Sequence, residues 1–283
     1  MRTLCGVLGV AVSGFSAWLK RPASARTMAD QQHLAALQTI QAASGQRYGS
    51  RRLRAALAAE GPTLSRDHIR RLMRLDITQP VRTRRRRRSG TPRTTRDQVV
   101  PNVLARQFDV VAPDQWWLGD ITTIATAEGD LHLAGVLDLG GRELVGWATA
   151  ATMTTELALA AFQAALQRRG QGPCAGHHTD QGGQYTSSAY QALVAGMGVT
   201  LSMSRAGCCL DNAPMESFWA TLKSELTHHQ RYATRAEAHL DVFWYSEVFY
   251  HRQRLHSSLG YQSPAAYLAR WRHDNPPVHQ TQT

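Results

Sequence analysis

The sequence predicts an α/β core preceded by a small all-α domain, on three observations. Between residues 30 and 75, apolar residues recur at helical spacing and are punctuated by Gly61-Pro62. From Gln115 onward, β-formers gather in short runs bounded by glycine turns and then alternate with helical stretches. The charge divides between the same two regions. The chain carries a net +11, yet residues 44–96 hold sixteen arginines against Glu60, Asp67 and Asp76, so the remainder is slightly acidic.

The first eighteen residues combine one basic residue with a short apolar stretch, loosely like a signal peptide. They read better as a short helical segment with Leu4, Val7, Leu8 and Val12 on one face and Ser13-Gly14 ending it. A helix is expected over 30–43, with Leu34, Leu37 and Ile40 at near-helical spacing, and a second over 50–59. A third begins at Leu64 or Ser65, where Ser65 can cap exposed amides, and runs to about Leu75. Its Ile69, Leu72 and Met73 form an apolar face, while Arg66, Arg70 and Arg74 recur on another with Arg71 beside them. Helix, short turn and basic helix suggest a helix-turn-helix-like unit. The arginines fit either a solvated face on a structural bundle or a DNA contact, and the focused charge favours DNA.

Next comes Arg82-Thr83-Arg84-Arg85-Arg86-Arg87-Arg88, followed by Ser-Gly-Thr-Pro. Like charges and turn residues make it a linker that neutralises phosphates, giving salt-sensitive binding without base readout. Strands are then expected over 116–126, 131–138 and 144–149, with turns at Gly129-Asp130 and Gly140-Gly141. An Ala-rich helix over 154–169, a short strand into Asp180, a helix over 187–197 and a strand over 199–203 follow. Pro214 sits near the first turn of a helix carrying Glu216.

Three acids stand where these elements run into loops: Asp120 in Trp-Leu-Gly-Asp-Ile-Thr, Asp180 in His-His-Thr-Asp-Gln-Gly, and Glu216 in Asp-Asn-Ala-Pro-Met-Glu-Ser-Phe-Trp. Thirty-five residues lie between the second and the third. Clustered carboxylates repel one another without a cation. With a pair of divalent ions they supply hard oxygen ligands for phosphoryl transfer. Magnesium or manganese suits such an all-oxygen set. Lys223 lies about two helical turns after Glu216 and can face a DNA phosphate from the same side, or solvent. Trp219, Leu222 and Leu226 read as a core stripe, Asn212 as a helix-start or site-shaping residue, and Asp138 as a turn residue.

Residues 48–267 resemble the orfB product of the IS-three class of insertion-sequence transposases. The matching stretches include Tyr48-Gly-Ser-Arg-Arg-Leu, Trp117-Leu-Gly-Asp-Ile-Thr, Gly135-Val-Leu-Asp-Leu, His177-His-Thr-Asp, Gln184-Tyr-Thr-Ser, Asp211-Asn-Ala-Pro-Met-Glu-Ser-Phe, Leu222-Lys-Ser-Glu-Leu and His256-Ser-Ser-Leu-Gly-Tyr. The resemblance implies a ribonuclease-H-like, integrase-type catalytic core with a D-D-E triad, whose positions fall on Asp120, Asp180 and Glu216. It implies metal-dependent DNA end cleavage and strand transfer without a covalent protein–DNA intermediate. It also implies double-stranded DNA partners (terminal repeats and target), an upstream-frame subunit or fusion segment, a homo-oligomer on DNA, and a place in the bacterial cytoplasm at the nucleoid. The family's upstream-frame segment is not recognised in this chain. Gln181, Ala206 and His251 depart from the family pattern, the first two by removing positive charge near the DNA path. Two competing functions remain. A catalytically inactive copy would bind element ends and need only the basic module, whereas a ribonuclease-H-like nuclease would leave that module unexplained.

Four cysteines, two of them adjacent at Cys208 and Cys209, form neither a disulfide framework nor a zinc spacing, and His177-His178 point to opposite strand faces. No apolar run is long enough to span a membrane. The expected organisation is a short helical segment over 1–29, the helix-turn-helix-like domain over 30–80, the basic linker over 81–105, the catalytic core over 106–270 and a tail over 271–283.

Overall fold

The computed structural model describes residues 1–75, 99–170 and 174–276. The chain divides into two compact units, Met1–Pro80 and Val81–Thr283. The arginines at 84–88 lie outside the described residues.

The first unit is helical: α1 (Arg2–Val7), α2 (Val12–Lys20), α3 (Ala25–Ala43), α4 (Ser50–Ala59) and α5 (Arg66–Leu75). The single segment expected at the start is two helices. Gly9 takes a left-handed φ of +66°, which ends α1 early, and Ser13 and Gly14 lie inside α2. Leu4, Val7, Leu8 and Val12 are exposed, so they form no inward face. Ser24 caps α3 by accepting from the Thr27 amide, starting it before residue 30. Leu37 and Ile40 of α3 are buried, as are Leu53 and Leu57 of α4 and Ile69 and Leu72 of α5. Buried Gln41 accepts from the Tyr48 amide at 3.2 Å and fastens the turn into α4. The Ser65 hydroxyl accepts from the His68 amide at 3.2 Å, the expected cap of α5.

The second unit is built on a five-stranded sheet. β1 (Trp116–Ile124), β2 (Leu131–Asp138) and β3 (Leu144–Ala150) form an antiparallel meander. β4 (Gly176–Thr179) and β5 (Thr200–Met203) add parallel to the other side of β1, giving the order β3-β2-β1-β4-β5. Parallel neighbours require crossovers. Here α6 (Thr155–Arg169) lies between β3 and β4, and α7 (Gly183–Thr186) with α8 (Ser188–Gly196) between β4 and β5. A meander followed by helix-linked parallel strands is the ribonuclease-H-like arrangement.

One face of the sheet packs on α6, where Trp117, Ala134, Val136, Val145, Leu157 and Phe162 share a core. Gly146 makes the approach close: a Cβ there would fall 2.3 Å from the Ala161 carbonyl oxygen. The opposite face carries Leu118, Leu133 and Leu137 by strand alternation. It receives α9 (Ala213–Glu225), whose Met215 and Trp219 side chains lie over Gly135. At the β2–β3 turn, Asp138 accepts from the Asp114, Gly140 and Gly141 amides, as its turn reading anticipates. Burial, foremost, raises its pKa to about 6.

The sequence reading stops its helices at α9, whereas the chain continues through α10 (Arg235–Phe243), a π-helical turn at Trp244–Tyr250, and α11 (Pro264–Asp274). A Thr234/Glu237 capping box opens α10. Behind the π turn, Arg254 makes a bidentate pair with Glu225 at 2.7 and 2.8 Å, and the Tyr245 hydroxyl donates to the same carboxylate at 2.9 Å. This anchors the C-terminal end of α9. Strand β1 is two residues shorter than expected because Thr126 bridges to Tyr232 instead.

Candidate active site

Asp120 is the central residue of β1, so it projects from mid-strand and not, as the sequence reading expected, from a strand's run into a loop. Paired parallel strands match Trp117 with His177 and Leu118 with His178. Continuing that register by two residues sets Asp180, just past β4, beside Asp120. Both carboxylates are half-buried. Both also bear on the Tyr185 phenol: burial, foremost, raises its pKa well above the ordinary value, and the charges of Tyr190, Asp120 and Asp180 add to that rise.

Each carboxylate is oriented locally. Asp120 accepts from the Ile121 amide through Oδ1 at 2.9 Å and from the Trp219 indole through Oδ2 at 3.0 Å. Asp180 Oδ1 accepts from the Gly182 amide at 2.9 Å, and a Cβ at Gly182 would lie the same 2.9 Å from that oxygen. Glu216 occupies the first turn of α9, half-buried, one turn before Trp219. Pro214 stands at the start of this helix, where its missing N–H costs no hydrogen bond. Lys223 is half-buried two turns further along.

The entry to α9 is stitched to the strands by side chains. Asn212 occupies the N-cap, but its Nδ2 donates to the Gly119 carbonyl at 3.0 Å, so it shapes the site by tying α9 to β1. Asp211 is fully buried. It accepts from Arg205 Nε and Nη2 at 2.9 Å each, from the Arg205 amide and Asn102 Nδ2 at 3.0 Å each, and from Arg106 Nε at 2.6 Å. The Arg205 guanidinium, foremost, holds the Asp211 carboxyl well below the usual carboxylate range. Ala105 and Arg106 both take positive φ, +47° and +63°, to bring this arm in.

His177 and His178 are core residues. His177 Nε2 pairs with the Tyr190 hydroxyl at 2.8 Å, while His178 pairs with Ser202 and Ser204 at 2.8 and 3.0 Å. Burial lowers their pKa values to about 3 and about 4, so both stay neutral. His251 is also structural: its Nε2 accepts from the Leu144 amide at 3.1 Å. Gln181 donates to the Ser204 carbonyl at 2.8 Å. In the helical unit Arg66, Arg70 and Arg74 are exposed. Arg71 differs, because its guanidinium donates to Asp30 of α3 at 2.6 Å and braces the bundle.

Among the described residues, no three His, Cys, Asp or Glu side chains converge closely enough to make a ready-built metal site. The donor chemistry nevertheless suits a hard divalent ion. Asp120 offers a carboxylate from the middle of β1 and Asp180 one from just past the end of β4, and Glu216 rides on the helix whose indole already touches Asp120. The sequence reading missed two neighbours of these acids. Trp219 read as core packing, although a buried indole N–H requires an acceptor, and that requirement was its one available signal. Tyr185 carried no signal beyond its neighbours.

Two spans match descriptions of an integrase core domain, residues 111–209 and 197–264, and residues 28–96 match an HTH-like domain. Fold and matched domains together define an integrase-core transposase with a helix-turn-helix-like unit ahead of it. The chain is 40% identical over 270 residues to the insertion element IS600 uncharacterized 31 kDa protein of Shigella sonnei, spanning 95% of this chain and 98% of that one. It is 37% identical over 276 residues to the transposase InsF for insertion sequence IS3A of Escherichia coli, spanning 94% and 93%. The chain belongs to this family of insertion-sequence transposases, whose chemistry is DNA cleavage and strand transfer and whose integrase-core members typically use divalent metals. Among solved structures, the HTLV-2 integrase catalytic core domain in complex with magnesium is similar at 14% identity and a TM-score of 0.42, covering 55% of this chain and 96% of that domain. No helix among the described residues is long and apolar enough to cross a membrane.

Proposed function

We propose that Asp120, Asp180 and Glu216 are the D-D-E triad of this transposase and hold divalent magnesium or manganese, two ions together. The observation that carries the reading is the meeting of three elements. The β1–β4 pairing, which ends at Leu118 with His178, leads two residues further to Asp120 and Asp180, and the helix bearing Glu216 donates its Trp219 indole to Asp120. When bound, such ions activate an attacking oxygen and stabilise a departing one in phosphoryl transfer.

The chain's own residues supply the rest. Ile121 and Trp219 fix the plane of the Asp120 carboxylate, Gly182 orients Asp180, and Asn212 and Asp211 set the start of α9. Asp120, Asp180 and Glu216 are acceptor-only when ionised, which suits them to cations and not to phosphate oxygens. DNA phosphates are therefore engaged by cations elsewhere: Arg66, Arg70 and Arg74 on α5, the run Arg84, Arg85, Arg86, Arg87 and Arg88, and Lys223 beside the site. The partners are element terminal repeats and target duplex, with an upstream-frame product and further copies of the chain in the active assembly. The domain limits follow the same division, with a DNA-binding unit over 30–80, a linker over 81–105 and a catalytic core over 106–270.

End cleavage and strand transfer on element-end duplexes with Mg²⁺ or Mn²⁺, with the upstream-frame product supplied, test this reading. Asp120→Asn, Asp180→Asn and Glu216→Gln should each lose activity by several orders of magnitude while DNA binding persists. Replacing Arg66, Arg70 and Arg74 by alanine should instead weaken DNA binding and flatten its salt dependence, because fewer counterions are released. An unmutated protein that binds ends but never cleaves would favour the inactive-copy reading. An unchanged salt titration would leave the arginine stripe as a solvated face.

A further inference from the structure

We infer that Trp219 is a positioning residue of the active site: its indole N–H holds the Asp120 carboxylate and couples that strand-borne acid to the helix carrying Glu216. The inference rests on the reading of Asp120 as a metal ligand.

Trp219 is 1% exposed, and its indole can only donate. Its acceptor is Asp120 Oδ2 at 3.0 Å, while Asp120 Oδ1 is occupied by the Ile121 amide at 2.9 Å. The carboxylate plane is thus held from both elements, by the Ile121 amide of its own strand and by the indole of α9. A carboxylate oxygen has two lone pairs, so Oδ2 can keep the indole and still face a cation.

The place of the ring is prepared by β2. Gly135 stands directly opposite Asp120 in the β1–β2 pair. A Cβ at Gly135 would lie 2.8 Å from Trp219 Cη2 and 3.0 Å from Met215 Cε. Glycine weakens a strand interior, so its use here marks a close approach, nearest by the indole and almost as near by Leu144 Cδ1 at 2.9 Å and Met215. A plain core filler at 219 would need no acceptor and no fixed ring plane. Trp219 also follows Glu216 by three residues, the spacing of neighbours on one helix face. A shift of α9 therefore moves Glu216 and the Asp120 hydrogen bond together.

Outer donors that orient ligating groups typically contribute about 10–100-fold in metal affinity. Mn²⁺ titration of the full chain, followed by the electron-paramagnetic signal of free ion, tests this with wild type, Asp120→Asn, Trp219→Phe and Gly135→Ala. Trp219→Phe keeps an aromatic filler and removes the N–H, so Mn²⁺ affinity should fall roughly tenfold or more with circular dichroism unchanged. Gly135→Ala keeps the N–H but crowds the ring, and should weaken binding in the same direction. A third readout needs neither variant. With ¹⁵N-labelled indoles, at least one of the seven tryptophan Nε1–H resonances should move on Mg²⁺ addition in wild type and stand still in Asp120→Asn. The inference is overturned if wild type binds Mn²⁺ and Asp120→Asn does not, yet Trp219→Phe binds like wild type or no indole resonance moves. Wild-type protein that binds no Mn²⁺, or Asp120→Asn that binds it normally, would instead bring down the metal-ligand reading itself.

Discussion

The acids on the sheet and the acid on the helix are held by different means. Asp120 lies within β1 and Asp180 directly follows β4, so the parallel pairing of residues 116–118 with 176–178 brings their stretches of backbone together. Glu216 has no such ladder. Its helix is positioned by Asn212 on the Gly119 carbonyl, by the Asp211 cluster, by the Trp219 indole and, at the far end, by Glu225 on Arg254. Moving Asp120 requires deforming the sheet, while Asp180, in the loop just past β4, is held by the Gly182 amide. A helix-borne partner can be moved by altering one of a few side chains, which would make α9 the adjustable half of the proposed site.

Breaking the helix brace should therefore have the larger consequence. Asp211→Ala leaves the Arg205 amide and Asn102, both at part-buried hydrogen bonds, without their acceptor, at a cost of about 1 kcal/mol, the low end for unsatisfied groups. Urea denaturation should show that loss, and hydrogen exchange should rise in the first turns of α9. Strand transfer should fall, but less than in the amide variants of the triad. Exchange unchanged in α9 would mean that the brace does not govern the helix. On the strand side, Gly119→Ala puts a Cβ 3.0 Å from His177 Cε1 and 3.1 Å from Thr179 Cγ2. These are side-chain atoms that can give slightly, so the expected cost is about 1 kcal/mol, the low end for overpacking. Activity should fall only in proportion to that stability, measured by the same denaturation series. The smallest effect concerns pH. The Asp211 carboxyl is held below its ordinary value of 3.8, so its folded pKa is depressed. Its stabilisation is then fully present above that ordinary value and is lost only as pH falls further, through the folded value. Lowering pH from 7 to about 4.5 should leave α9 protection unchanged through this group. Protection lost in that window only when Asp211 is present would contradict the assigned shift.

The same contrast explains what was legible in the sequence. Periodicity and punctuation located β2 over 131–138 and α4 over 50–59, and Pro214 marked the start of α9, because all of these are set by neighbours along the chain. The parts that escaped depend on distant partners. Arg71 looks like one more surface cation, but its partner Asp30 is 41 residues away. Asp211 gives no hint that Arg106, 105 residues earlier, will reach it. Trp219 fits an apolar stripe, and only the fold reveals that its N–H ends on Asp120, 99 residues upstream. The aromatic-rich segment 243–250 escaped for a local reason: a π turn breaks the 3.6-residue repeat that helix reading relies on.

The most direct test of the central claim, that strand-borne and helix-borne acids act as one site, is a double-mutant cycle on strand transfer. Wild type, Asp120→Asn, Glu216→Gln and the double variant would be compared under one set of DNA, metal and partner conditions. Residues that work as a unit are grossly non-additive. Each single variant should lose activity by several orders of magnitude, and the double variant should be no worse than the weaker single. Losses that multiply, or full strand transfer by Glu216→Gln beside an active wild type, would show that the sheet and the helix do not share a site.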